Sequence, residues 1–150
     1  MEPILITFIF TVIPAIIIRP LLTTLHELGH AIPAIYFTRQ KVSMYIGSYG
    51  DPTNSFHFTI GKLEVWFRYN PFLKIGGLCV YRNNNISINK QIFITLAGPF
   101  ISFVIATVGC FITFYFDLHG SIKLIILIFT FLSVFDLYAN IYPSAKPINL

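Results

Sequence analysis

Five consecutive residues of this 150-residue chain are suited to hydrolytic chemistry: His26-Glu27-Leu28-Gly29-His30. On a helix, residues four apart lie one above the other, so the two imidazoles can converge on one zinc ion. Glu27 sits on the same side, where it can take a proton from metal-activated water and return it to a leaving amine. The bland alternative is a pair of helix-surface histidines that only hydrogen-bond. Ionisable side chains are rare in apolar helices unless they have a task, which argues for the metal. Asp136 is a second carboxylate in an apolar stretch and needs a partner; Arg19, seven residues before His26, points the same way as His26. His57 and His119 lack ligand spacing and read as a strand-surface and a turn residue. Cys79 and Cys110 lie in apolar surroundings without metal-type spacing and read as packing residues.

These residues sit in an unusual background. Hydrophobic residues make up 55% of the chain, aromatics 17% and charged residues only 11%, against about 25% charged in soluble domains. So few charges cannot cover a soluble sphere of this size. That excludes a soluble globular enzyme and a disordered tail, and two cysteines exclude a disulfide scaffold. The composition points to one membrane-embedded domain over residues 1–150. The expected fold class is an α-helical integral membrane protein, with a three-transmembrane-helix core and a small β-hairpin insertion between helices one and two. The net charge of +4 comes from few, scattered groups, so the expected partner is the lipid bilayer, with no nucleic acid.

The first apolar block, residues 3–37, is interrupted by Pro14, Pro20 and Pro33, which predicts a kinked helix or two short ones. The extreme N-terminus carries Glu2 and no Lys or Arg, unlike a signal peptide. Residues 38–90 hold seven of the ten basic residues and read as a β-rich loop. Phe56, Phe58 and Ile60 alternate with polar residues, as do Leu63, Val65 and Phe67. Gly61-Lys62 between them suits a type II′ hairpin turn. In that register Phe58 faces Val65 and Phe56 faces Phe67, with Thr59–Glu64 and His57–Trp66 on the other side. Asn83-Asn84-Asn85 reads as a loop. Residues 91–116 form the second helix, with Thr95, Gly98, Ser102, Ala106, Gly109 and Thr113 on one small-residue face that lets another helix approach. Residues 117–120 turn, and 121–142 form the third helix. The Lys/Arg bias places the 38–90 loop and the C-terminus in the cytoplasm and the N-terminus outside.

The sequence resembles the site-2 protease family of intramembrane zinc metalloproteases. The zinc motif His26-Glu27-x-x-His30 is followed by Leu96-Ala97-Gly98-Pro99, similar to the family's Ala-Gly-Pro motif, and by Asn140-Ile141-Tyr142-Pro143, similar to its Asn-x-x-Pro motif. Order, spacing and the three-helix plan all match. The expected topology brings the three motifs to one end of the bundle, although they are scattered over more than a hundred residues. The resemblance implies Zn2+ as cofactor, His26 and His30 as metal ligands, and Glu27 as the general base. It implies Asn140 as a substrate-binding residue, and a transmembrane protein as substrate.

Two positions depart from that pattern. Ser102 stands where the family commonly has Asn, and still hydrogen-bonds. The family's third zinc ligand is the Asp of an Asp-Gly pair beyond Asn-x-x-Pro, and residues 144–150 contain no Asp. Two accounts follow: a chain that stops before its third ligand, or Asp136 in its place. Asp136 could instead make a structural hydrogen bond to Asn140 or pair with Arg19. The expected function is hydrolysis of a peptide bond in or near a transmembrane segment. The alternatives are an inactive relative that binds membrane helices, and a small transporter or channel subunit.

Overall fold

The structure, a computed structural model, describes residues 3–70, 76–82 and 86–141. Its elements run α1 (Pro3–Thr38), β1 (Val42–Ile46), β2 (Ser55–Ile60), β3 (Leu63–Arg68), β4 (Gly77–Tyr81), α2 (Ile88–Tyr115) and α3 (Gly120–Ile141). Three stretches are long and apolar enough to cross a membrane: Val12–Thr38, Ile88–Tyr115 and Gly120–Ala139. The expected loop at Asn83, Asn84 and Asn85, the side chain of Asn140 and all of Pro143 lie outside the described residues.

The first apolar block is one helix, not two. It runs for 36 residues through Pro14, Pro20 and Pro33. A proline removes one N–H from the ladder, and the bonds on either side carry the helix past it. At 1.5 Å per residue the helix is about 54 Å long, more than a hydrocarbon core of about 30 Å, so part of it must tilt or emerge. It ends where Arg39 adopts a left-handed backbone, φ 56°. There the Arg39 N–H donates to the Ile35 carbonyl at 2.8 Å, satisfying one of the last free carbonyls.

The inter-helix insertion is larger than a hairpin. The hairpin is present with the register expected from alternation: Phe56↔Phe67, His57↔Trp66, Phe58↔Val65 and Thr59↔Glu64. Gly61 takes φ 59° at its turn, as a type II′ first position requires. Two further strands complete a four-stranded sheet of order β2-β3-β1-β4. β1 runs parallel to β3 and antiparallel to β4. Val42, Met44 and Ile46 of β1 are buried, alternating with Ser43 and Tyr45. Val42 packs with Ala31 and Ala34 of α1 and Ile94 of α2, while Met44, Ile46 and Val65 pack with Leu28. This apolar face seats the sheet on the second half of α1. The opposite face carries the Ser43–Glu64 hydrogen bond at 2.9 Å and the His57–Trp66 ring stack at 4.4 Å.

α2 begins at Ile88, three residues before the expected start. Extended Ser87 offers its carbonyl to the N–H groups of Lys90 and Gln91 at 3.0 and 3.2 Å. Of the small-residue stripe, Gly98, Ser102, Ala106 and Thr113 are buried. Its later part, from Ala106 to Gly109, is where α3 docks: the Thr130 hydroxyl of α3 donates to the Ala106 carbonyl at 3.2 Å, and Ile126 packs beside Gly109. Small side chains permit this close seam, in which packing rather than a hydrophobic drive holds helices together.

α1 and α2 meet glycine to glycine. A Cβ on Gly29 would stand 2.6 Å from the Gly98 Cα and 2.7 Å from the Ala97 carbonyl oxygen. Both obstacles are backbone, so they cannot swing aside. Gly29→Ala is expected to separate the helices and lower stability by about 1–3 kcal/mol, the ordinary range for overpacking. A depressed melting temperature in detergent checks this.

Candidate metal centre

The helical repeat of α1 brings His26, Glu27 and His30 to the side that faces α2, α3 and β4. His26 and Glu27 are buried, at 8% and 6% exposure. The two imidazoles face each other through their Nε2 atoms, 3.0 Å apart. Each is tethered from behind. His30 Nδ1 donates to the Ile94 carbonyl of α2 at 2.7 Å. His26 Nδ1 lies 2.7 Å from Asp136 Oδ2 on α3.

These tethers decide where the ring protons sit. A carbonyl can only accept, so His30 carries its proton on Nδ1, and its neutral Nε2 is a lone pair. A carboxylate likewise draws the His26 proton to Nδ1. Two lone pairs at 3.0 Å repel unless a cation lies between them. Nitrogens bound tetrahedrally to one zinc at about 2.0–2.1 Å stand roughly 3.3 Å apart. The donor pair therefore fits zinc with little movement.

No cluster of three His, Cys, Asp or Glu side chains able to hold a metal is found among the described residues. Asp136 was one expected candidate for a third ligand. Its carboxylate meets Nδ1, on the far side of the imidazole from Nε2, so the geometry makes it a partner of the ring.

Glycines admit the side chains of the site. A Cβ on Gly77 of β4 would collide with the Glu27 carboxylate, its Cδ at 2.6 Å, and one on Gly98 would collide with the His30 ring, its Cδ2 at 2.7 Å. Gly77 pairs with Ile46 across β1–β4, so the sheet face that packs on α1 is also the face that meets Glu27. Among the described residues, clefts reach His26 and Glu27 from two sides. One of about 280 Å³ is lined by His26, Glu27, His30, Cys79 and Thr95 among others. The other, of about 290 Å³, opens between α1 and α3 and is lined by Arg19, Glu27, Gly77 and Asp136 among others.

Several of these neighbours were not expected at the site. Cys79, expected only as packing, lies against Glu27; burial and then the Glu27 carboxylate push its thiol up to about 12, so it stays protonated at neutral pH. Gly77 and the Ile94 carbonyl had no sequence signal, because their roles depend on how the sheet and α2 dock. Gly98 was legible as a motif residue, though not as the space for an imidazole. His57 stacks on Trp66 in the sheet, and the His119 ring accepts the Ser121 N–H at 3.4 Å; neither is near the motif. Asn140 belongs to the last turn of α3, one turn beyond Asp136.

No curated protein matches the chain. The family model of peptidase family M50 matches residues 14–144. The matched segment contains the histidine pair, Glu27, Gly98 of α2 and Asp136. The chain belongs to peptidase family M50, the site-2 protease family.

Proposed function

We infer that the protein is an intramembrane zinc metalloprotease that hydrolyses a peptide bond in or near a transmembrane segment. The observation that carries this is the convergence of the His26 and His30 Nε2 atoms at 3.0 Å, with both Nδ1 atoms tied back and Glu27 buried beside them. His26 and His30 would hold the metal through their Nε2 atoms, with its remaining positions open to solvent and substrate. When bound, zinc supplies Lewis acidity toward the scissile carbonyl and makes water a better nucleophile. Glu27 accepts the proton of the attacking water and passes it to the departing amine. Asn140 holds substrate backbone. The buried position of Glu27 limits competing solvent.

A transmembrane substrate must be unwound before its carbonyls can be reached, and an exposed sheet edge offers the alternative hydrogen bonds. The hairpin does not provide that edge at the site. Its outer strand β2 is separated from β4 by β3 and β1, about 14 Å away at 4.7–4.9 Å per strand. The outer edge of β4 is the one beside Glu27, and the substrate strand pairs there. Membrane orientation follows the basic loop: the sheet and the C-terminus are cytoplasmic and the N-terminus is outside.

The test is cleavage of a single-span model substrate by the purified chain in detergent. Cleavage should stop when a chelator removes zinc and return when about one zinc per chain is restored. A chain that binds no zinc and cleaves nothing would support the reading as an inactive helix-binding relative. Function that survives loss of both histidines would support a transporter or channel subunit.

A further inference from the structure

We propose that Asp136 is a positioning residue for the metal centre: it holds His26 with the proton on Nδ1 and the bare Nε2 turned toward the metal. This rests on the reading of His26 and His30 as zinc ligands. The carboxylate Oδ2 lies 2.7 Å from His26 Nδ1, the length of a charge-assisted hydrogen bond. His26 comes from α1 and Asp136 from α3, 110 positions later, so the contact ties the third helix to the motif on the first.

The two imidazoles have different tethers. His30 is fixed by a neutral backbone carbonyl on α2, and His26 by a charged side chain on α3. A carboxylate behind a ligating imidazole selects one tautomer, fixes the ring plane and raises the basicity of the opposite nitrogen. The histidine side chain is 10% exposed and the carboxylate 32%, so the bond sits at the wall of the α1–α3 cleft and is only partly shielded from water. A histidine without this acceptor would divide its proton between Nδ1 and Nε2, and Nε2–H cannot bind a cation.

Two variants of the full chain test the proposal. Asp136→Ala removes the acceptor; Asp136→Asn keeps the shape and one acceptor oxygen while removing the charge. Zinc affinity is read by competition with a chelator. The His26 tautomer is read from imidazole 15N shifts of the metal-free protein, and the coordination number from the absorption spectrum of the cobalt-substituted protein. Asp136→Ala should weaken zinc about 10–100-fold and move His26 toward the Nε2–H tautomer. Asp136→Asn should weaken zinc by less and keep the wild-type cobalt spectrum. Wild-type zinc affinity and an unchanged tautomer in Asp136→Ala would overturn the proposal. So would a changed coordination number in Asp136→Asn, which would make Asp136 a ligand. If the wild-type chain bound no zinc, the metalloprotease reading would fail, while the tautomer shift would still decide whether Asp136 orients His26.

Discussion

Glu27→Gln is expected to lower cleavage of a single-span substrate by about a thousandfold while the protein keeps its zinc. The magnitude is the middle of the range for removing a general acid–base group, about 10²–10⁴. The substitution preserves volume, which matters because Glu27 is 6% exposed and a Cβ on Gly77 has no room beside it. It leaves both histidines and their tethers intact. Loss of turnover with retained metal would separate proton transfer from metal binding. Cleavage at the parental rate would rule out Glu27 as the base, and with it the proposed mechanism.

Gly98→Ala should severely weaken metal binding although it changes neither histidine. The new Cβ would occupy the space of the His30 ring, colliding with its Nε2 and Cε1. The ring cannot yield and still serve, because its Nδ1 is held at 2.7 Å by the Ile94 carbonyl one turn earlier on the same helix. Zinc affinity should fall by more than about a hundredfold, since the ligand is displaced and not merely loosened. Alanine is the better helix former by about 1 kcal/mol, so α2 itself should not be weakened. Isothermal titration of the metal-free protein, beside His30→Ala as the reference for a lost ligand, reads the effect. Wild-type affinity would show that the histidine can bind from another position.

Much of this architecture is legible without coordinates where the interactions are local. The hairpin register follows from two alternating runs and a two-residue turn, because a one-residue slip would turn Phe56 and Phe58 to the face opposite Val65 and Phe67. The spans are legible because their apolar length exceeds what a soluble helix needs. β1 was present as Val42-x-Met44-x-Ile46, a short alternation whose partner could not be read. Its parallel neighbour β3 is reached only after β2, and pairing across that distance leaves no local mark. The prolines of α1 suggested a kinked helix or two short ones, and one missing hydrogen bond at each was too little to end a helix packed against two others and a sheet.

The boundary between sequence and tertiary structure runs through the imidazoles themselves. Helical periodicity alone puts His26, Glu27 and His30 on one face, since four residues make little more than one turn. Composition alone makes that helix long and apolar enough to cross a membrane. Neither decides which nitrogen of each ring is free. That is settled by an acceptor 64 positions away for His30 and one 110 positions away for His26, delivered when α2 and α3 dock. The same docking gives Gly77 and Gly98 their importance: their missing side chains leave the space that Glu27 and His30 occupy. Spacing along one helix can gather the chemical groups, whereas their proton positions and room depend on what the other helices and the sheet bring against them.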